Sequence, residues 1–302
     1  MNTITFRLLE VFQHVVDAGS VTAASNALSL SQPTVSLQLK KLSKIVGMPL
    51  LEYVHGKATM TTAGEAVYCC AQEVLSSQRK LNSQVHAIQG LEVGTLKLAV
   101  VTSAKYIIPP LLTPYCQAHP NIDIHFTVGN RDRIANRLRH NKDDLYIFSY
   151  PPASDELQCL PIAQNRLQVI APPDYTGPEH CSLAALASCK FLLREAGSGT
   201  RRAIEEYCVK HDIELSRTMI VESNEAIRLA VASGLGLAIL SEHTLAHGPD
   251  EQVKVLNVND FPLRNQWQAV TVKSRPMSLA TRAFLDQLTP GPATITGGMN
   301  VQ

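Results

Sequence analysis

Two short stretches of this 302-residue chain collect the residue types that hold an anion. Thr102-Ser103-Ala104-Lys105 leaves an apolar, β-like run and opens a helical one, and Gly197-Ser198-Gly199-Thr200-Arg201 does the same in a later part of the chain. Backbone N–H groups in the first turn of a helix have no partner within it and lie at the positive end of its dipole. Hydroxyls and glycines placed there therefore make a seat for phosphate or carboxylate. Lys105, Arg201 and Arg202 add positive charge. A Gly-Ser turn is also an ordinary way to join a strand to a helix; the occurrence of two such loops in two halves is what points to a ligand cleft. Ser149-Tyr150, after the strand Leu145–Phe148, and Asn224-Glu225, at a further helix start, fall where they line the same cleft. Glu225 has a second reading, as a first-turn acid favoured by the helix dipole. The expected ligand-binding set is Thr102, Ser103, Lys105, Ser149, Ser198, Thr200 and Arg201, acting on a small anionic molecule with no resident cofactor or metal.

A second constellation lies near the N-terminus. Along residues 32–42, Val35, Leu39 and Leu42 recur at helical spacing, leaving Gln32, Thr34, Ser36, Gln38, Lys40 and Lys41 on the other side. Ser31 is a good cap, and Pro33 in the first turn gives up an N–H that would have no helical partner. A shorter helix, Val21–Leu28, precedes it after the cap Ser20, with Ala23, Ala24 and Ala27 permitting close contact and Ser29-Leu30 making the turn. Before that, Phe6, Leu9, Phe12 and Val16 form the apolar face of a first helix that Gly19 stops. Helix, tight turn and helix, with short polar side chains at the start of the second, is helix-turn-helix geometry, in which the second helix enters the DNA major groove. Gln pairs bidentately with adenine, Ser and Thr reach base or phosphate, and lysine neutralises phosphate. A three-helix bundle with a polar face has the same periodicity. Leu50–Thr61 reads as a two-stranded wing about a His55-Gly56-Lys57 turn, with Lys57 at its tip on phosphate. The expected DNA-binding set is Gln32, Pro33, Thr34, Ser36, Gln38, Lys40 and Lys57.

No catalytic arrangement accompanies these sites, and no enzyme activity is expected. His243 and His247 are four apart, but Thr244 stands where a zinc protease needs glutamate. In Gly197-Ser198-Gly199 the second glycine directly follows the serine, unlike a nucleophile elbow, and there is no phosphate-binding P-loop.

The elements that must position these residues follow from periodicity. Thr62 and Glu65 form a capping-box pair that opens a helix closed near Gly90. On it Val67, Ala71, Val74, Gln78, Leu81, Val85 and Ile88 step by fours and threes, the seam of a dimerising coiled coil. Residues 63–89 span about 40 Å as a helix. From Gly94 onward β-like runs alternate with helical stretches, which predicts a largely parallel sheet covered on both faces. A weak interruption near Leu157–Asn165 divides it into two subdomains. The predicted domains are a DNA-binding head over 1–62, a linker helix over 63–90 and an α/β domain over 91–289. That domain comprises one subdomain of about 91–162 with 268–289 and another of about 163–267; 290–302 is expected to be a disordered tail.

Composition agrees with two or more globular domains and excludes other classes. Lys+Arg number 27 against 26 Asp+Glu, 45% of residues are hydrophobic, and no apolar run reaches the length of a bilayer-spanning helix. The neutral total hides a local excess: residues 1–62 carry Arg7, Lys40, Lys41, Lys44 and Lys57 against Glu10, Asp17 and Glu52. The N-terminus lacks the pattern of a signal peptide. The cysteines, seven in number and without a C-x-x-C pair, read as reduced thiols, so a cytoplasmic location is expected.

Ser20–Lys41 (SVTAASNALSLSQPTVSLQLKK), followed by LSKIVGMPLLE and TTAGE, closely resembles the LysR-type bacterial transcriptional regulators, and the similarity runs to about residue 289. The resemblance implies α/β architecture with an N-terminal all-α winged helix-turn-helix, a long linker helix, and two Rossmann-like subdomains of periplasmic-binding-protein type. It implies double-stranded promoter DNA as partner, a co-inducer between the subdomains, self-association through the linker helix into a dimer and a homotetramer, RNA polymerase as a further partner, and no membrane. VVTSAKYIIPPLL, FTVGNRDRI, DDLYIFSYPP, IAPPDY and LREAGSGTR are similar to the subgroup regulating carbon dioxide fixation and inorganic-carbon uptake, whose members sense phosphorylated sugars or acids, 2-oxoglutarate or NADPH. Leu37 departs from the family, many of whose members carry arginine there; Ser149-Tyr150 departs from the Gly-Arg of much of the subgroup. Alternative readings are a regulator of sulfur metabolism, a thiol switch using Cys181, Cys189 or Cys208, and a solute-binding protein that does not bind DNA.

Overall fold

The computed structural model describes residues 3–54, 57–88, 93–178, 180–246 and 253–288. The chain falls into two compact units, residues 1–91 with 139–142, and residues 92–138 with 143–302.

In the first unit, α1 (Phe6–Ala18) starts where the Thr5 hydroxyl accepts from the Leu8 N–H and stops at Gly19, whose φ of +67° suits a residue without a Cβ. Ser20 caps α2 (Val21–Ala27) through the Ala23 N–H, and Ser31 caps α3 (Gln32–Val46) through the Thr34 N–H, with Pro33 in the first turn. Strands β1 (Leu51–Val54) and β2 (Lys57–Met60) pair antiparallel, and the Ala58 N–H donates to the Gly19 carbonyl at 3.0 Å, tying the wing to the end of α1. The long helix α4 (Thr62–Ile88) begins at its expected cap, so the cap itself lies one residue earlier. Thr61, not Thr62, supplies the hydroxyl, accepting from the Gly64 N–H, while the Glu65 N–H donates to the Thr61 carbonyl.

The core of this unit joins Leu8, Leu9 and Phe12 of α1 to Leu42 of α3, Leu50, and Tyr68, Ala71 and Leu75 of α4. Three details of the expected pattern change. Phe6 lies on the side of α1 opposite Leu8, Phe12 and Val15 and is 51% exposed. Of the alanines in α2 only Ala24 is buried. On α4, Tyr68 and Leu75 join Ala71 in facing the unit's own core, while Leu81 and Val85 are exposed.

The second unit contains β3 (Gly94–Val101), a 3-10 turn at Thr102–Tyr106, α5 (Ile108–Ala118), β4 (Ile122–Gly129), α6 (Arg131–Arg139), β5 (Leu145–Phe148), β6 (Leu157–Ala171) and β7 (His180–Cys181). Then come β8 (Lys190–Leu193), α7 (Gly199–Lys210), β9 (Arg217–Ile220), α8 (Asn224–Ala232), β10 (Leu237–Ser241), α9 (Glu242–Ala246), β11 (Lys254–Val258), β12 (Leu263–Val272) and α10 (Leu279–Leu288). The sheet order is β4-β3-β5-β12-β6-β10-β8-β9, with β11 on β6 and β7 on β11. Parallel β4, β3 and β5 form one lobe, and parallel β10, β8 and β9 the other. Antiparallel β6 and β12 run through both.

The sheet is therefore mixed rather than largely parallel. A chain that leaves one lobe along β6 must return along β12 in the opposite direction. The stretch Leu157–Asn165, expected as an interruption, is instead the first part of a continuous strand, because its cross-strand partners on β12 supply the pairing that its own polar sequence does not announce. Within the strands, consecutive residues serve opposite faces: Val169, Phe191 and Ile239 pack beneath α7, and Ile170, Leu192 and Leu240 pack beneath α8. Among the described residues no helix is long and apolar enough to cross a membrane.

Two leucines on α3 test this packing. Leu42 is fully buried and Leu37 is 68% exposed. Leu42→Ala should cost about 2–5 kcal/mol and Leu37→Ala within about 0.5 kcal/mol in denaturant unfolding followed by circular dichroism. Equal losses would contradict the placement of α3.

Candidate functional site

Helix α3 turns Val35 and Leu42 inward, which directs Gln32, Pro33, Leu37, Lys40, Lys41 and Lys44 to solvent. Thr34, Ser36 and Gln38 are half-buried. The Thr34 hydroxyl lies 2.8 Å from that of Ser31 and is engaged in the cap. The Oε1 atom of Gln38 is buried with no hydrogen-bond partner. Gln32, Lys40, Lys41 and Lys44 thus stand open to solvent on a helix packed from behind, as groove binding requires, while Thr34 and the Gln38 oxygen are turned partly inward. The turn residues His55 and Gly56 and the Lys57 side chain lie outside the described residues.

In the α/β unit the Gly197–Arg201 loop lies against Ser149, and Lys105 of the other loop reaches Glu225 of the second lobe. Thr102, Ser103 and Lys105 lie in the 3-10 turn after β3, and Ser149 follows β5. From the other lobe come Ser198 and Thr200 at the start of α7. The approach is close: a Cβ built on Gly199 would stand 3.2 Å from the Ser149 Oγ. The Asp132 N–H donates to the Gly197 carbonyl at 3.3 Å, and Gly197, at φ +83°, has no room for a side chain beside the Asp132 carboxylate. Ser103, Ser149, Ser198 and Thr200 are 7, 8, 4 and 6% exposed. Ser198 is the N-cap of α7 yet its hydroxyl does not cap, and none of the four hydroxyls has a hydrogen-bond partner among the described residues. The residues are buried, but their hydroxyl oxygens are not sealed from solvent. Ser149 of one lobe and Ser198 and Thr200 of the other lie about the start of α7, a polar surface suited to a ligand rich in acceptors.

The charged groups are arranged differently from the expectation. Arg201 pairs with Glu205 on its own helix at 2.6 Å and donates to the Arg194 carbonyl at 3.1 Å. Arg202 pairs with Glu206 and lies over the Tyr150 ring, 5.9 Å from its centroid. Buried Arg194, which the sequence reading missed, grips Glu195 with two nitrogens at 2.8 and 2.9 Å and donates to Asn224 Oδ1 at 2.5 Å. An arginine ending the apolar run Phe191-Leu192-Leu193 was the available signal. Glu225 goes beyond the first-turn role. Its carboxylate pairs with Lys105 of the opposite lobe, accepts from the Tyr106 hydroxyl at 2.5 Å, and accepts from the Ser223 hydroxyl at 2.9 Å. Burial alone would raise the Glu225 pKa; Lys105, Tyr106, its own backbone N–H and Ser223 outweigh it and hold the carboxyl down at about 2. Burial and Glu225 together push the Tyr106 phenol up.

The other candidates recede. The His243 ring Nε2 lies 3.2 Å from the Gln164 carbonyl, His247 is outside the described residues, and among the described residues no cluster of metal-ligating groups occurs. Burial raises the thiols of Cys181 and Cys208, the reverse of what activates a thiolate.

A helix-turn-helix head with a wing, joined to a two-lobed α/β unit with a polar cleft, defines a ligand-responsive DNA-binding regulator. Residues 6–65 match the family model for the bacterial regulatory helix-turn-helix protein, lysR family, and residues 89–292 match that for the LysR substrate binding domain. The chain belongs to the LysR family of transcription regulators. It is 38% identical over 291 residues to the HTH-type transcriptional activator CmpR of Synechocystis sp., covering 95% of this chain and 96% of the other. It is 35% identical over 287 residues to the RuBisCO operon transcriptional regulator of Acidithiobacillus ferrooxidans, covering 94% and 93%. Among solved structures, the regulatory domain of Synechocystis CcmR in complex with 2-PG matches with a TM-score of 0.61 and 38% identity, over 64% of this chain and 95% of that one. The chain is thus similar along nearly its whole length to CmpR and to a regulator of the RuBisCO operon.

The Glu225 contacts carry a pH signature. The folded pKa of about 2 lies below the ordinary 4.5. The contribution to stability is therefore complete above about pH 4.5 and is lost as pH falls toward 2. Urea unfolding of wild type and Glu225→Gln should show a less stable variant at pH 7, a gap that narrows below about pH 4.5 and closes only at about pH 2 and below. A gap independent of pH would show that the carboxylate is not the source.

Proposed function

We propose that this regulator senses a small phosphorylated or carboxylated metabolite between its two lobes and that the four unpartnered hydroxyls are the seat of that anion. Ser103, Ser149, Ser198 and Thr200 would donate to it, with Thr102 at the edge, the N–H groups opening α7 behind it, and Lys105 and Arg201 available once their carboxylate partners move. The carrying observation is that Ser103, Ser149, Ser198 and Thr200 are buried residues whose hydroxyls make no hydrogen bond among the described residues. The 2-PG bound by the Synechocystis relative supports a phosphorylated ligand of this size.

On DNA, Gln32, Gln38 and Ser36 would meet base edges, Thr34 would steady the helix start, Pro33 would let the backbone approach, and Lys40 and Lys57 would hold phosphate. The functional divisions follow the same elements: a head over 1–62, a linker over 63–90, and lobes over about 91–162 with 268–289 and about 163–267. Exposed Leu81 and Val85 on α4 support dimerisation through the linker, with a homotetramer and contact with RNA polymerase as further steps. The working compartment would be the cytoplasm, and the chain would carry no enzyme activity.

A thermal-shift panel of ribulose bisphosphate, 2-phosphoglycolate, 2-oxoglutarate, NADPH and sulfate tests the cleft. A ligand at a hundred times its Kd adds about 2.7 kcal/mol, several degrees for lobes of this size. One compound should raise Tm, and Thr200→Val should abolish the rise; no rise with any of them would overturn the assignment to these metabolites. For DNA, Gln38→Ala should cost about 1–3 kcal/mol and relax preference at one base pair in competition binding. A uniform loss on every sequence would reduce Gln38 to a backbone contact.

A further inference from the structure

The cleft already contains an anion of its own. Glu225 is the second residue of α8, and its Oε1 crosses to the other lobe, where it meets both the Lys105 ammonium and the Tyr106 hydroxyl. Its Oε2 is held from behind by the Ser223 hydroxyl at 2.9 Å. Lys105 stands two residues from Ser103, one of the unpartnered hydroxyls, and it is the cation of the ligand loop in the first lobe. Its charge is committed to Glu225. An anion arriving at those hydroxyls meets a lysine that is already occupied.

We propose that Glu225 is a specificity-determining residue of the cleft, a resident anion that a ligand must displace to gain Lys105. This rests on the reading of the cleft as an anion site and adds a threshold to it. Glu225 is tethered, so its effective concentration at Lys105 is high, and a free monocarboxylate exchanges one carboxylate for another against that advantage. A phosphate brings nearly twice the charge and three acceptor oxygens, and exchange becomes favourable. Displacement also breaks the Tyr106–Glu225 hydrogen bond between the lobes, so arrival of the ligand removes a contact that holds them in their present relation.

Titration calorimetry on the full-length chain at low salt, with 2-phosphoglycolate and with glycolate, tests this. Wild type should bind 2-phosphoglycolate and give no heat with glycolate. Glu225→Gln, which keeps the shape and removes the charge, should bind 2-phosphoglycolate about tenfold more tightly, roughly 1.4 kcal/mol, and should bind glycolate measurably. Adding Lys105→Met to Glu225→Gln should erase the gain. Tyr106→Phe, which removes only one donor to the carboxylate, should shift affinity in the same direction by less and guards against a folding defect in the first variant. Equal affinity in wild type and Glu225→Gln overturns the proposal by making Glu225 a bystander, and weaker binding overturns it by making Glu225 a ligand contact. If wild type binds neither anion, the anion-site reading falls and takes the proposal with it; binding by wild type with no change in the variants removes the proposal alone.

Discussion

The two lobes are joined by two antiparallel strands, β6 and β12, and any relative movement of the lobes must pass through them. Each is long enough to belong to both half-sheets: β6 pairs with β12 along its length and with β10 and β11 at its far end, while β12 also pairs with β5. The register between them shifts between Trp267 and Gln268. Trp267, the one tryptophan of the chain, is fully buried there, and its indole N–H has no hydrogen-bond partner. Asn265, two residues away, likewise holds a buried carbonyl oxygen without a partner. Nearby, the Ser241 hydroxyl donates to Asn165 at 2.6 Å. A bulge flanked by unsatisfied polar atoms is a place where pairing is incomplete, and a sheet twists most readily at such a place. The connection is covalently secure and locally soft, which suits lobes that change their angle without separating.

The cleft uses chemistry matched to that mechanics. Its groups come from loops at the ends of parallel strands, so their positions relative to their own lobe are fixed by the sheet, and only the angle between lobes is free. The hydroxyls bear no charge and cost less to leave without a partner than an arginine or lysine would. The charges that are present are paired within the chain: Arg201 with Glu205, Arg194 with Glu195, Lys105 with Glu225. On the proposed reading an anion would rearrange these ion pairs rather than fill an unmet charge.

Much of this was legible in the sequence, and what was not has physical causes. The helix boundaries in the head followed from Ser20, Ser31 and Gly19, because caps and a left-handed stop act locally. The two loops that open the 3-10 turn and α7 were recognised because hydroxyls and glycines at a helix start have a local signature. Tyr106, Arg194 and the true partner of Glu225 were missed because their roles depend on residues 119 positions away for Tyr106 and 30 for Arg194. The charge of Arg201 was assigned to the ligand for the same reason in reverse: a glutamate four residues along its own helix takes the guanidinium first. Strand β6 was broken in two on the page since half of it is polar, and only its pairing with β12 makes it one strand.

If the lobes pass the presence of a ligand to the head, ligand and DNA must influence each other's binding by the same factor. The direct measurement is the Kd of 2-phosphoglycolate, followed through Trp267 emission, for the full-length chain alone and saturated with an operator duplex selected from a random library. A difference of about fivefold or more between the two values is expected, and the duplex affinity of Thr200→Val, expected to lose the ligand, should not change when 2-phosphoglycolate is added. Identical Kd values with and without DNA would contradict the account, leaving a cleft that binds an anion and a head that does not register it.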